Sequence, residues 1–323
     1  MDILLSTDKN YIMPTGVTMT SVCANNSQVT FHILIDKGVT ELQKHQLISI
    51  LNGDKEQNVK FYCIDSHFMD HFPALGKVKS YITKATYYRL FIADFLPSSV
   101  QKVIYLDGDV VNVRQLDELW GLDISDYAIG AVTDMSENAQ DFNRLGYDRS
   151  NGYFNAGVLL LNVEYWRKHQ LKETFLDLIT NHPERIVLHD QDVLNIILHD
   201  QKYNLPMKYN VQNGFLCKRE YSTFGEHYDD YEADLYDAIT NPVIIHFTDN
   251  KKPWFVEDCN PLGYLWFKYY KQTEWKYMPL GHCNKSKIRY WGAKVLRYLH
   301  LLGEAKTEEG NYLTIEEIDS FKR

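Results

Sequence analysis

The stretch Tyr105-Leu106-Asp107-Gly108-Asp109-Val110-Val111 sets two carboxylates on either side of a glycine, directly after an apolar run. In extended chain, residues i and i+2 project to the same side, so Asp107 and Asp109 aim at one point. Two anions converging on one point call for a cation between them, and a divalent metal ion is the chemistry the spacing suggests; the bland alternative is a surface turn with two acids. Three further polar clusters interrupt apolar contexts. His189-Asp190-Gln191-Asp192 opens the run 193–198, where Asp190 can cap a helix, although two acids and an amide exceed what one cap needs. His246 closes the run Val243-Ile244-Ile245, and Lys251-Lys252-Pro253-Trp254 follows, where a lysine could meet a phosphate. Two carboxylates and an imidazole form a mixed oxygen and nitrogen donor set. Completed by diphosphate oxygens, that set suits Mn2+ better than Mg2+, which stays as the alternative cofactor. Such an ion would neutralise a diphosphate leaving group, and Lys252 would add to that stabilisation.

The elements that must position these groups show as alternating patterns. Ile3-Leu4-Leu5 leads to a helix-like stretch near 17–24, Phe31 to Ile35 leads to a helical segment over 40–51, and Val59 to Cys63 follows. Strand, helix, strand, helix implies a mainly parallel sheet covered on both faces. Over 84–95, Tyr88, Phe91, Ile92 and Phe95 share one helical face, and Pro97 stops the helix. The strand 103–106 comes next. Ligands of open α/β sheets collect outside the carboxyl ends of strands, which is where Asp107 and Asp109 fall. In the second half, 154–161 reads as a buried strand whose small residues Ala156 and Gly157 either admit a close approach or simply pack, followed by a helix over 163–181.

With 323 residues and 45% hydrophobic content, the chain can bury a large core, and a formal net charge of -9 argues against general nucleic-acid binding. Five cysteines without a CxxC pair suit reduced thiols and a cytoplasmic location. The opening MDILLSTDKNY lacks the features of a signal peptide, and no run reaches the roughly 18 apolar residues of a membrane span. Residues 285–303 carry Lys285, Lys287, Arg289, Lys294 and Arg297, with Ile288, Trp291, Val295, Tyr298, Leu299 and Leu302 near helical spacing. This predicts a basic amphipathic helix that either contacts the inner face of the membrane or docks on the body. The expected organisation is therefore a catalytic domain over 1–283 and an extension over 284–323. In that extension Thr314 and Glu317 form a capping-box pattern before Ile318 and Phe321.

Seven segments, STDKNY (6–11), ATYYRL (85–90), YLDGDVV (105–111), AVTD (131–134), YFNAGVLLLN (153–162), HDQDVLN (189–195) and HFTDNKKPW (246–254), stand in the order in which glycosyltransferase family 8 carries similar ones. Over roughly 1–261 the chain resembles that family, whose retaining, metal-dependent members use nucleotide sugars and include bacterial lipopolysaccharide galactosyl- and glucosyltransferases and glycogenin. The resemblance implies a three-layer α/β/α GT-A (nucleotide-diphospho-sugar transferase) fold with a mainly parallel mixed sheet. It implies that Asp8, Asn10 and Tyr11 hold the uridine, Tyr11 against the base, with Lys9 departing from the acidic residue of some relatives. Arg89 would reach the donor sugar or diphosphate, Asp107, Asp109 and His246 would bind Mn2+, and Lys252 would meet the diphosphate. Thr7, Gly108 and Asp249 would be further donor contacts. Asp134, Asn155, Asp190 and Gln191 would line the sugar and acceptor pocket, with Gln191, Asp190 and Asp134 the catalytic candidates.

The implied donor is UDP-galactose or UDP-glucose, and the implied acceptor a glycan or lipid-linked oligosaccharide of lipopolysaccharide or other cell-surface polysaccharide synthesis. An amide oxygen is a poor nucleophile, so attack from the face that UDP leaves is favoured over double displacement through Gln191. Two other readings stand beside this one. The first is a haloacid-dehalogenase-type phosphatase using Asp107 as nucleophile, against which the late position of the motif counts. The second is a non-catalytic nucleotide-sugar-binding module, whose expected loss of a metal ligand is not seen.

Overall fold

The computed structural model describes residues 1–64, 84–134, 141–221, 229–282 and 311–321. The expected amphipathic segment 285–303 and the boundary at 283/284 lie outside them. Among these residues ten strands form two sheets: β1 (Asp2–Thr7), β2 (Thr30–Ile35), β3 (Asn58–Cys63), β4 (Lys102–Leu106), β5 (Val110–Asn112), β6 (Ile129–Thr133), β7 (Phe154–Asn162), β8 (Lys202–Asn204), β9 (Val211–Gln212) and β10 (Ile244–His246). The larger sheet runs β3-β2-β1-β4-β7-β6-β8, and the smaller runs β5-β10-β9. β1 pairs in parallel with β2 and β4, while β7 is antiparallel to both β4 and β6. The mixed, mainly parallel α/β sheet expected from the sequence is what forms.

Continuous apolar runs suit strands buried on both faces. Successive residues alternate between two cores: Ile3, Leu5, Ile104, Leu106, Val158 and Leu160 enter one, and Leu4, Val103, Tyr105, Leu159 and Leu161 enter the other. Helices Ile12–Asn25 and Gly263–Tyr270 contribute to the first core, and Leu171–Asn181 and His189–Leu198 to the second. The tail is not a free appendage. Leu313 N donates to Leu216 O at 2.8 Å, Tyr312 and Ile318 join the first core, and helix Ile315–Ser320 carries the expected Thr314–Glu317 capping box.

Three local expectations need correcting. The single helix over 84–95 is a 3-10 segment, Lys84–Phe91, with one α-turn, Ile92–Phe95. The helix over 163–181 is two, Val163–Lys168 and Leu171–Asn181, separated where Gln170 adopts a left-handed φ of 49°. Helix His189–Leu198 is not capped by Asp190. Asp192 instead accepts from Val187 N at 2.6 Å and Leu188 N at 2.7 Å, which leaves Asp190 for another role.

Candidate active site

Asp8 follows β1, Asp107 follows β4 and Asp134 follows β6, so three acids stand at the carboxyl ends of sheet strands. The start of antiparallel β7 runs across the same edge: Gly157 O accepts Asp107 N at 2.8 Å, and Asp134 N donates to Tyr153 O at 2.9 Å. The small sheet supplies the last side. His246 lies opposite Val110 and beside Gln212, and Phe247 N donates to Asp109 O at 3.1 Å, so β10 holds the imidazole in register with the Asp107–Asp109 turn.

Asp107, Asp109 and His246 each offer one ligand atom, all within 4.8 Å of one another. The other oxygen of each acid is already engaged. Asp107 Oδ1 takes Arg89 Nη2 and the Tyr105 hydroxyl, both at 2.7 Å. Asp109 Oδ2 takes Lys252 Nζ at 2.8 Å and the Tyr11 hydroxyl at 3.2 Å. What remains is Asp107 Oδ2, 3.9 Å from His246 Nε2, and Asp109 Oδ1, 3.3 Å from it. Asp109 Oδ1 is buried and accepts no hydrogen bond. A buried carboxylate oxygen without a donor is costly, and converging oxygen, oxygen and nitrogen lone pairs are the donor set a divalent cation satisfies. The residues therefore fit a metal ion.

Gly157 makes the convergence sterically feasible. A Cβ there would stand 2.1 Å from His246 Cε1 and 2.9 Å from Asp107 Oδ2, so the close approach foreseen for this small residue is that of the imidazole ring. At Gly108 a Cβ would meet Thr15 Oγ1 at 2.8 Å and Tyr11 Cδ1 at 2.9 Å.

The electrostatics keep Asp109 ionised. Burial pushes the Asp109 carboxyl up, but attraction led by the Lys252 ammonium 2.8 Å away outweighs this and holds it well below the usual carboxylate range. Burial opposes charge on Arg89, yet Asp107 and Asp190 outweigh it and keep the guanidinium protonated. Its fork joins Asp107 to Asp190 Oδ2, 3.0 Å away, and also meets the carbonyls of Thr86 and Ala156. Asp190 is raised by burial, partly offset by Arg89, and accepts the Thr86 hydroxyl at 2.6 Å. Arg89 is thus placed as a strut behind the acids.

Asp134 Oδ2 accepts Asn155 Nδ2 and Gln191 Nε2, both at 3.0 Å, and Gln191 Oε1 accepts Ala156 N at 3.0 Å. These three candidate residues form one wall. On the β1 side the Thr7 hydroxyl accepts from Thr15 at 3.0 Å, buried Asp8 accepts Asn10 N at 2.8 Å, and Asn10 is exposed. The Tyr11 ring meets Trp254 edge-on at 5.6 Å. Asp249 is near enough to Cys217, Tyr312 and Asp258 for its charge to push all three up. Sequence reasoning missed Tyr105, Thr86 and Asn210. The first was within reach of the same i, i+2 rule that pairs Asp107 with Asp109. Asn210, buried in a loop between short elements, carries no pattern signal.

The architecture is that of the GT-A glycosyltransferases. The chain matches the galactosyltransferase LgtC, solved with donor and acceptor sugar analogues, at a TM-score of 0.75 and 25% identity over 85% of this chain and 96% of that one. It belongs to glycosyl transferase family 8, whose model matches residues 2–258. General stress protein A of Bacillus subtilis is 30% identical over 85% of this chain and 94% of its own length. The lipopolysaccharide 1,2-glucosyltransferase of Escherichia coli is 29% identical over 96% and 88%. Family membership removes the phosphatase alternative. Among the described residues no helix is long and apolar enough to cross a membrane, and Cys23, Cys63 and Cys217 are free thiols.

Proposed function

We propose that the protein is a retaining hexosyltransferase that moves galactose or glucose from UDP-galactose or UDP-glucose to a glycan acceptor, in lipopolysaccharide or other cell-surface polysaccharide synthesis. Mn2+, or Mg2+ in its place, is held by Asp107, Asp109 and His246. The observation that carries this reading is Asp109 Oδ1, buried without a donor and facing His246 Nε2 at 3.3 Å. A divalent ion bound there supplies the positive charge that stabilises UDP as it leaves.

The chain's own groups do the rest. Lys252, fixed by Phe247 O at 2.6 Å and by Asp109, adds charge on the leaving-group side, and Arg89 keeps Asp107 oriented. Thr7, Asp8, Asn10, Tyr11, Gly108 and Asp249 form the nucleotide side, and Asp134, Asn155, Asp190 and Gln191 the sugar and acceptor side. Gln191 Oε1 accepts Ala156 N at 3.0 Å and faces Asn155 Nδ2 at 3.4 Å, which draws electron density from an already weak nucleophile. That supports same-face attack, the departing phosphate taking the acceptor proton. The enzyme works in the cytoplasm as a catalytic domain over 1–283 with an extension over 284–323, in which 285–303 either contacts the inner leaflet or docks on the body. Because 311–321 packs on the body, the fair test of that contact is charge reversal of the five basic residues rather than deletion. Unchanged sedimentation with anionic vesicles would end the membrane idea.

The test of the donor site is calorimetric titration of UDP with Mn2+ and then with EDTA, for the wild type and Asp109→Asn. Binding that needs both the metal and Asp109 is expected, and turnover of a UDP-sugar panel separates an enzyme from a binding module. UDP binding indifferent to metal and to Asp109 would refute the assignment.

A further inference from the structure

Asn210 precedes β9, is fully buried, and touches two partners of different kinds. Its Nδ2 donates to Asn155 Oδ1 at 2.9 Å, and its Oδ1 lies 3.0 Å from His246 Nδ1. Which end of the amide faces which partner can be worked out from groups with no freedom to change role. Gly157 N is a backbone donor and points at Asn155 Oδ1 at 2.9 Å, so that atom is an oxygen. Asn155 Nδ2 then faces the Asp134 carboxylate at 3.0 Å, as a donor should. Asn155 Oδ1 can only accept, so Asn210 turns its NH2 toward it and its carbonyl oxygen toward the imidazole. A carbonyl oxygen can only accept, so His246 Nδ1 carries a proton.

We infer that Asn210 is a positioning residue that holds the neutral His246 ring in its Nδ1–H tautomer, which turns the Nε2 lone pair toward Asp109 Oδ1. This rests on the cation reading of the Asp107–Asp109–His246 cluster and adds to it the device that keeps the cluster open. Released from Asn210, the neutral ring can carry its proton on Nε2 instead. From 3.3 Å it would donate that proton to Asp109 Oδ1, satisfying the one acceptor the fold leaves without a donor. The cluster would then be self-paired, and a cation would have to displace a proton to enter. With Asn210 in place two lone pairs face each other, an arrangement that a cation relieves. The same amide ties the imidazole, through Asn155, to Asp134 and Gln191, so the metal-side and sugar-side residues share one hydrogen-bonded chain anchored on Gly157 N and Ala156 N.

The test has two readouts, neither of them turnover. Nitrogen-15 spectra of the histidine rings in the full-length, metal-free protein report the tautomer directly, and His246→Gln identifies the relevant ring among the 12 histidines. At a pH where the ring is neutral, the wild type is expected to show His246 protonated at Nδ1 and bare at Nε2; a neutral ring with its proton on Nε2 and Nδ1 bare would overturn the inference whatever the protein does with metals. Asn210→Leu, close in volume but unable to accept, is expected to shift the ring toward Nε2–H. It should also weaken Mn2+ binding in the presence of UDP by about tenfold or more, read from the paramagnetic resonance of free Mn2+. UDP affinity in EDTA should match the wild type. A folded Asn210→Leu protein that binds Mn2+ as the wild type does would also overturn the inference. If that variant does not fold, the wild-type ring spectrum decides alone. Failure of the wild type to bind Mn2+ would sink the cation reading and leave the tautomer measurement standing.

Discussion

Gly157→Ala tests the geometry of the site without touching a charged group. The new methyl would stand 2.1 Å from His246 Cε1, 2.7 Å from Nδ1 and 2.9 Å from Asp107 Oδ2, the first more than an ångström inside ordinary contact. The backbone cannot yield easily, because Gly157 O holds Asp107 N at 2.8 Å and Gly157 N holds Asn155 Oδ1 at 2.9 Å, in a strand paired on both sides. The imidazole must move, and it leaves both the cation position and Asn210. Overpacking of this kind costs about 1–3 kcal/mol, which denaturant unfolding will read. Calorimetry should show UDP binding in Mn2+ reduced to its level in EDTA. The double variant Gly157→Ala/His246→Ala removes the ring that the methyl strikes, so its stability should recover relative to Gly157→Ala alone, a non-additivity expected only of residues in contact. If Gly157→Ala binds UDP with Mn2+ as the wild type does, the ring does not sit where the reasoning requires.

Two further predictions concern charge. Arg89→Met leaves Asp107 and Asp190 without their shared guanidinium, and loss of one partner from a buried pair costs about 3–5 kcal/mol, so a loss under 1 kcal/mol in chemical denaturation would contradict the strut role. Asp258 is pushed up to about 6, chiefly by burial and with Asp249 adding to it, so it holds its proton more tightly folded than unfolded. Its contribution to stability is present below the unfolded value of roughly 4 and is lost as pH rises to about 6. Asp258→Asn should therefore flatten the melting temperature against pH across that window, and an unchanged profile would remove Asp258 as the cause.

What could be read from the sequence was what periodicity and a charged turn encode. β1 to β4 and β7 are long enough for an alternating or continuous apolar pattern, and the Asp107–Asp109 pair lies within three residues. Of the small sheet only the run 243–245 closed by His246 could be read; β5 and β9 span three and two residues, and the pairing of β10 with them, which brings His246 against Asp109, leaves no pattern. The break at Gln170 was hidden because a single left-handed residue leaves hydrophobic spacing almost undisturbed. Asp190 was read as a cap because local capping is the commonest role of an acid opening a helix. Its true partners, Thr86 and Arg89, are about a hundred residues away in sequence, where no local rule reaches. Asn210 escaped for the same reason, its two partners being supplied by β7 and β10.

The charge balance of the site yields a prediction about order and coupling. Asp107, Asp109, Asp134 and Asp190 face two side-chain cations, Arg89 and Lys252, and both cations are already committed to those acids. A nucleoside diphosphate brought into this field alone meets an excess of negative charge at low dielectric. A divalent ion alone is welcome to the carboxylates but finds three protein atoms among the described residues, fewer than the six or more ligands such ions take when oxygen-bound. Each ligand thus completes what the other lacks, and their binding must be coupled. Linkage requires the coupling to be reciprocal: the factor by which saturating Mn2+ tightens UDP must equal the factor by which saturating UDP tightens Mn2+. Two calorimetric series, each titrating one ligand at fixed concentrations of the other, measure both. A coupling of tenfold or more, with the Mn2+ series losing it in Asp107→Asn, is the expected result. Binding of UDP and Mn2+ to wild-type protein with no mutual effect would mean that they occupy separate places, and the convergence of Asp107, Asp109 and His246 would need another explanation.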